Sequence, residues 1–257
     1  MSGGCAVRFL GTGTSHGVPM IGCRCGTCRS TDPRDRRSRP SILFEMGGGV
    51  RVLVDTTPDL RSQALAHDLD RVDAILFTHC HADHVMGLDE VRRFNVLQHA
   101  AIPCYGDART LRELKRTFAY IFDGADEGGG VPRVHLYPLG GPFSIGAEEC
   151  IPVPVWHGRR EILGFRLRDF AYLTDCSGIP DTSWALLDGV RTLAIDALRH
   201  RPHPTHFTVE QALAAAARIG AGRTWLTHIC HDLPHEATNA SLPAGVELAY
   251  DGLRIEI

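Results

Sequence analysis

A chain of 257 residues, 44% hydrophobic and 22% charged, carries enough apolar material for one substantial core and is not a disordered or fibrous polymer. Its formal net charge of -3 at pH 7 gives no general attraction to polyanions, so a nucleic acid polymer is not the expected partner, although Arg34, Arg36, Arg37 and Arg39 form a local basic run. Neither a charged leader with an apolar stretch nor a run of about 18 apolar residues occurs, so a cytoplasmic protein with no membrane partner is expected.

The first strand-like run is VRFL at 7–10. A glycine-rich stretch follows and leads to Cys23-Arg24-Cys25-Gly26-Thr27-Cys28. Nine cysteines in a chain of this kind point to thiols or metal ligands rather than disulfides. Three closely spaced thiolates ask for a fourth ligand to close a tetrahedral zinc, and Cys230, His231 and His16 are the candidates.

Further strand-like runs are SILFEM at 41–46, VRVLVD at 50–55 and VDAILFT at 72–78. Directly after the last comes Thr78-His79-Cys80-His81-Ala82-Asp83-His84, ahead of a segment that can turn helical. Three imidazoles and a carboxylate on a tight turn at a strand end are the ligand types for Zn, Mn or Fe. Apolar spacing predicts helices at 107–119 and 208–219, and GADEGGG at 124–130 reads as a mobile loop rather than a domain joint. Strands are expected at 150–155, 162–167, 170–174, 191–195, 223–227 and 253–257. Without a linker or short repeat, residues 1–257 read as a single α/β domain, two sheets packed face to face with helices outside.

The His79-to-His84 motif is followed in order by Val155-Trp156-His157-Gly158, Tyr172-Leu173-Thr174-Asp175 and Trp225-Leu226-Thr227-His228. This set resembles the metallo-β-lactamase superfamily, and the likeness runs over residues 5–257. It implies an αββα sandwich with two catalytic divalent metal ions, Mn, Zn or Fe, at one edge between the sheets. By resemblance His79, His81 and His157 hold one ion, Asp83, His84 and His228 the other, and Asp175 bridges them. Asp55 matches the family's first-motif aspartate and is expected to fix a ligand or the loop from behind rather than bind metal, with a simple turn cap as the alternative.

The runs Gly11-Thr12-Gly13-Thr14-Ser15-His16-Gly17-Val18-Pro19 and Gly22 to Cys28 further resemble the phosphoribosyl cyclic phosphodiesterase (PhnP) group. That resemblance implies a structural zinc on Cys23, Cys25, Cys28 and His231, in an N-terminal zinc-binding loop at about 11–40 that would be stapled to the segment bearing His228. It implies hydrolysis of a small cyclic phosphodiester, of the phosphoribosyl 1,2-cyclic phosphate or 2',3'-cyclic nucleotide type, by a hydroxide shared between two metals. Asp83 and Asp175 can orient the nucleophile as well as bind metal. His206, just before the helix at 208–219, maps onto the group's proton donor, against a reading in which Thr205 or Thr208 caps the helix and His206 is merely exposed. His203 is a phosphate-contacting candidate, and His200 a weaker one. Rival readings are a thioester, lactone or other ester hydrolase of the same fold, and a non-hydrolytic protein resembling one of pyrroloquinoline-quinone biosynthesis, which shares the cysteine motif. A homodimer is common in the fold, and the PhnP pattern is not carried over onto residues 88–130, whose role is left open.

Overall fold

The computed structural model describes residues 4–124 and 130–257, so most of the loop expected at 124–130 lies outside the described residues. In chain order the strands are β1 (Ala6–Gly11), β2 (Ser41–Glu45), β3 (Arg51–Val54), β4 (Ala74–Leu76), β5 (Ile102–Gly106), β6 (Val134–Pro138), β7 (Phe143–Ile145), β8 (Glu148–His157), β9 (Arg160–Leu167), β10 (Phe170–Leu173), β11 (Thr192–Asp196), β12 (Arg223–Thr227), β13 (Val246–Leu248) and β14 (Arg254–Glu256). The helices are α1 (Leu60–Ala66), α2 (Ala82–Val85), α3 (Val91–Gln98), α4 (Ala108–Thr117), α5 (Ala119–Phe122), α6 (Val209–Ile219) and α7 (His235–Asn239).

The strands form two seven-stranded sheets, ordered β14-β1-β2-β3-β4-β5-β6 and β13-β12-β11-β10-β9-β8-β7. Each sheet is antiparallel over one half and parallel over the other, the change falling at β3–β4 in the first and at β10–β11 in the second. Phe9, Phe44, Val54 and Leu76 of the first sheet meet Phe165, Phe170, Tyr172 and Trp225 of the second in the core between them, with Phe44 and Phe170 edge to face at 5.9 Å between ring centroids. The outer face of the first sheet buries Leu53 and Ile75 with α1, α3 and α4, through Leu60, Phe94, Leu111 and Leu114. The outer face of the second buries Leu193 and Ile195 with α6, through Ala212 and Ala216. Burial on both faces explains why FAYL of β10 is apolar throughout rather than alternating. The result is the expected αββα sandwich of class α/β.

The expected strands and the helices at 107–119 and 208–219 occur within a few residues of their predicted limits. The sequence pattern does not show β5, β6, β7 or β13. Pro103 and Gly106 interrupt β5, and β7 and β13 have only three residues each, too few for a period of two to register. The basic run is corrected by the structure: Arg37 is buried against Asp35 at 3.0 Å, Arg34 pairs with Asp32 at 2.8 Å and Glu236 at 2.7 Å, and Arg39 pairs with Asp59 at 3.0 Å. These guanidiniums are neutralised, three of the four, and do not form a free basic patch. Among the described residues no helix is long and apolar enough to cross a membrane.

One close approach seats the motif of three histidines. The Thr56 amide donates to the His84 carbonyl at 2.8 Å and the Gly87 amide to the Thr56 carbonyl at 2.9 Å, and a Cβ at Gly87 would stand 2.0 Å from the Thr57 carbonyl oxygen. Gly87→Ala is therefore expected to cost about 1–3 kcal/mol of stability or more, as overpacking does, read as a lower midpoint in denaturant unfolding.

Candidate metal centre

Six strand ends deliver the site. β3 leads to Asp55, β4 runs into Thr78 to His84, β8 ends in His157, β10 leads to Asp175, β11 ends in Asp196 and β12 leads to His228. Asp55, Asp175 and His228 take left-handed backbone angles, with φ of 64°, 53° and 57°. Such angles are uncommon for residues other than glycine and cluster at functional sites, where the surrounding structure enforces them.

Asp55 lies fully buried behind the motif. Its Oδ1 accepts from the Thr78 amide at 2.9 Å, its Oδ2 from the Thr78 hydroxyl at 2.8 Å, and the same oxygen meets His84 Nδ1 at 2.6 Å. Fixing both the loop and the ring, it leaves His84 Nε2 facing forward, 3.2 Å from Asp175 Oδ1 and 3.4 Å from Asp83 Oδ2. His157 is turned by the Asp175 carbonyl, 2.8 Å from its Nδ1. His228 Nδ1 stands 2.8 Å from Asp175 Oδ1, and His79 Nε2 3.8 Å from Asp175 Oδ2.

Two groups of ligand atoms result, each with its atoms within 4.8 Å of one another: His79, His81, His157 and Asp175, and His84, Asp175 and His228. Asp175 belongs to both. Asp83, expected in the second group, stands at its edge beside His84.

The electrostatics of these groups fit a cation. Burial alone would depress His84, but Asp175, Asp83 and Asp55 outweigh it and hold the imidazole well above its ordinary range. Burial and the neighbouring His84 push His79 well below. Burial would raise Asp175, yet His228 and His84 hold it well below the usual carboxylate range. A cluster that draws a proton onto a buried ring to balance its carboxylates is a cluster short of positive charge. Among the described residues His79 Nε2 and His84 Nε2 are also buried without a well-aligned hydrogen-bond partner, which a metal ion would satisfy.

His206 joins this group across the opening. Its ring lies 4.7 Å from His228, nearly parallel, 5.0 Å from His157 and 4.9 Å from His203. Its Nδ1 meets Asp196 Oδ2 at 2.7 Å, so Nε2 is the free nitrogen. Asp196, also fully buried, accepts from the Cys176 amide at 2.9 Å through the same oxygen. The helix cap is real as well: Thr208 caps α6 in a reciprocal capping box with Gln211. The capping threonine and the buried-side histidine are separate residues, and the two readings do not compete. His200 instead pairs with Glu210 at 2.7 Å on the exposed surface, away from this group. Sequence reasoning missed the part Asp196 plays; its signal is a carboxylate closing the apolar strand TLAID, the same pattern as Asp55 after VRVLV.

The cysteine loop closes on His231. Its Nδ1 lies 3.2, 3.4 and 3.7 Å from the sulfurs of Cys23, Cys25 and Cys28, and the four ligand atoms fall within 4.8 Å of one another. The Cys28 amide donates to Cys25, whose thiol falls to about 6, whereas burial pushes Cys28 up to about 11. Cys230 is not in this group. His16 lines, with Ser15, Arg199, His203 and His206, a cavity of about 240 Å³ that opens between the two centres. Arg37 laces the loop down independently, donating to the Cys230 and Leu233 carbonyls at 2.9 and 2.7 Å.

The family model described as a beta-lactamase superfamily domain matches residues 50–229. A solved structure described as a new diphosphatase from the PhnP family is 46% identical, superposes with a TM-score of 0.93 and is matched over 100% of this chain and 98% of its own. Zinc-bound PqqB from Methylobacterium extorquens, 21% identical over 98% of this chain and 100% of its own, shares the fold with a TM-score of 0.82. A Porphyromonas gingivalis protein named octanoyltransferase is 38% identical over 95% of this chain, which spans 50% of that protein's length.

Asp55→Ala should weaken divalent-ion retention about 10- to 100-fold, measured by chelator competition. Because an ion must displace the proton on His84, whose neighbouring carboxylates hold it well above its ordinary range, affinity should also fall as pH is lowered.

Proposed function

Since this chain belongs to the β-lactamase superfamily, we propose that it is a metal-dependent hydrolase of that fold and cleaves small phosphodiesters, with cyclic phosphodiesters of the phosphoribosyl 1,2-cyclic phosphate or 2',3'-cyclic nucleotide type as the substrate class. One observation carries this reading: two ligand groups share Asp175, and an Asp196-oriented His206 stacks on His228 beside them. His79, His81 and His157 would hold one ion and Asp83, His84 and His228 the other, with Asp175 common to both; imidazole and carboxylate donors suit Zn, Mn or Fe. Bound there, two divalent ions supply Lewis acidity toward phosphoryl oxygens and a water of lowered pKa.

The remaining work falls to side chains. Asp83, at the edge of the second group, accepts a hydrogen bond from the attacking water and aims it. His206, whose Nε2 is free and whose pKa burial holds below its ordinary value, must first be protonated there; that proton then passes to the leaving alkoxide, while Asp196 holds Nδ1–H and balances the transient imidazolium. His203, beside His206, donates to the phosphate. Cys23, Cys25, Cys28 and His231 hold a closed structural zinc that ties the N-terminal loop to the segment after β12, three residues beyond His228.

A second reading, cleavage of a diphosphate linkage, is favoured by the 46%-identical PhnP-family diphosphatase. It differs in the leaving group: a departing phosphate is a weak base that needs no proton, whereas an alkoxide does. Octanoyl transfer is not carried over, because that name belongs to a chain about twice this length.

His206→Ala should lower kcat toward a diester with an alkoxide leaving group about 10²- to 10⁴-fold, with bound metal unchanged by elemental analysis, and should spare an activated nitrophenyl diester. Equal rates on both substrates would remove His206 from the reaction; a wild-type enzyme that cleaves diphosphates and no diester would favour the second reading. In the same assay series, Cys25→Ser should release the zinc and lower the unfolding midpoint, and retention of both would refute the staple.

A further inference from the structure

The turn that carries His157 also carries an arginine that makes no ion pair among the described residues. Gly158 and Arg159 join β8 to β9 with Gly158 at φ 62°, and the register sets His157 directly opposite Arg160. Residues opposite one another in a ladder project to the same face of the sheet, so the turn delivers Arg160 to the side on which His157 meets the other imidazoles. The Arg160 Nη1 lies 3.4 Å from His81 Nε2 and 3.8 Å from Cys80 Sγ, with its side chain half-buried. Among the described residues it makes no ion pair, whereas Arg34, Arg37 and Arg39 each meet a carboxylate at 3.0 Å or closer.

A guanidinium stays charged at any working pH. Held beside a cluster built for cations, it is repelled unless an anion lies between them. His81 Nε2 has one lone pair and cannot both accept from Arg160 and bind an ion, so loading the site would free a fork of donors at its rim. Such a fork matches paired phosphoryl oxygens and gains little from a neutral carbonyl.

We propose that Arg160 binds the non-bridging oxygens of the substrate's phosphoryl group and so selects anionic phosphorus esters over neutral esters, thioesters and lactones. This rests on the phosphodiesterase reading above and deepens it. Arg160 is a substrate-contacting residue that meets the centre at His81, whereas His206 meets it at His228 and His157, so the group that would hold the phosphorus and the group that would protonate the leaving group are separate.

The experiment compares the metal-loaded wild type with Arg160→Ala, Arg160→Lys and Arg159→Ala, the last removing an exposed charge from the same turn. Bound metal is measured by elemental analysis, inorganic phosphate binding by calorimetry, and KM and kcat with a phosphodiester. Arg160→Ala should weaken phosphate binding about 10- to 100-fold and raise KM more than it lowers kcat, at unchanged metal content. Arg160→Lys should recover part of the loss, and Arg159→Ala should bind phosphate as the wild type does. Unchanged phosphate affinity in Arg160→Ala would overturn the proposal, as would an equal loss in Arg159→Ala, which would reveal a general field rather than a contact. If Arg160→Ala loses metal, the comparison is made with Arg160→Lys, and full phosphate affinity together with a loss of metal in both would also overturn it. Arg160-dependent phosphate binding by a protein that cleaves no phosphodiester would keep Arg160 in place and sink the phosphodiesterase reading instead.

Discussion

One buried carboxylate organises this molecule. Asp175, 2% exposed, faces imidazoles from both sheets: His79 and His84 after β4, His157 at the end of β8 and His228 after β12. Gathering so many polar groups in a dry place is unfavourable unless each is paired. The carboxylates hold His84 well above its ordinary range, and His228 and His84 hold Asp175 well below the usual carboxylate range. The rest of the sandwich serves to bring these strand ends together, and the left-handed angles at Asp55, Asp175 and His228 are part of what that convergence costs.

The two sheets support the site by the same device. In the first, Asp55 accepts from the Thr78 amide and orients His84; in the second, Asp196 accepts from the Cys176 amide and orients His206. Each aspartate closes a strand, is fully buried and joins the backbone of an adjacent strand end to the Nδ1 of a histidine. A ring held in this way presents Nε2 in one direction only, so a metal-facing imidazole and a proton-donating imidazole are obtained from one structural pattern. What separates their roles is location, since His84 faces Asp175 whereas His206 stacks on the outer side of His228.

The cysteine loop bears on the same centre from a distance. It crosses from residues 23–28 to His231, and backbone bonds between Thr12, Thr14 and Ile229 and the buried Arg37 hold the same crossing. The segment after β12 thus has three independent ties. His228, which it carries, is placed by the N-terminal loop as much as by its own strand.

The ligand types were legible in the sequence, because the motif from His79 to His84 is local and each remaining ligand directly follows an apolar strand. The sandwich was legible for a related reason: burial on both sheet faces leaves continuous apolar runs. Hydrophobic patterning could not show β5, β7 or β13, which are short or broken by proline and glycine. It also left Cys230, His231 and His16 as candidates, among which the family resemblance pointed to His231, and suggested free charge at Arg37, whose carbonyl partners lie more than 190 positions away. Sequence by itself determined which chemical groups are present and which strand ends carry them, since those depend on neighbours a few residues apart. Only the tertiary structure decided that Asp196 aims His206 and that Arg160, without an ion pair among the described residues, stands beside His81. Those relations depend on distances between segments far apart in the chain, which the packing of two sheets sets and local periodicity does not contain.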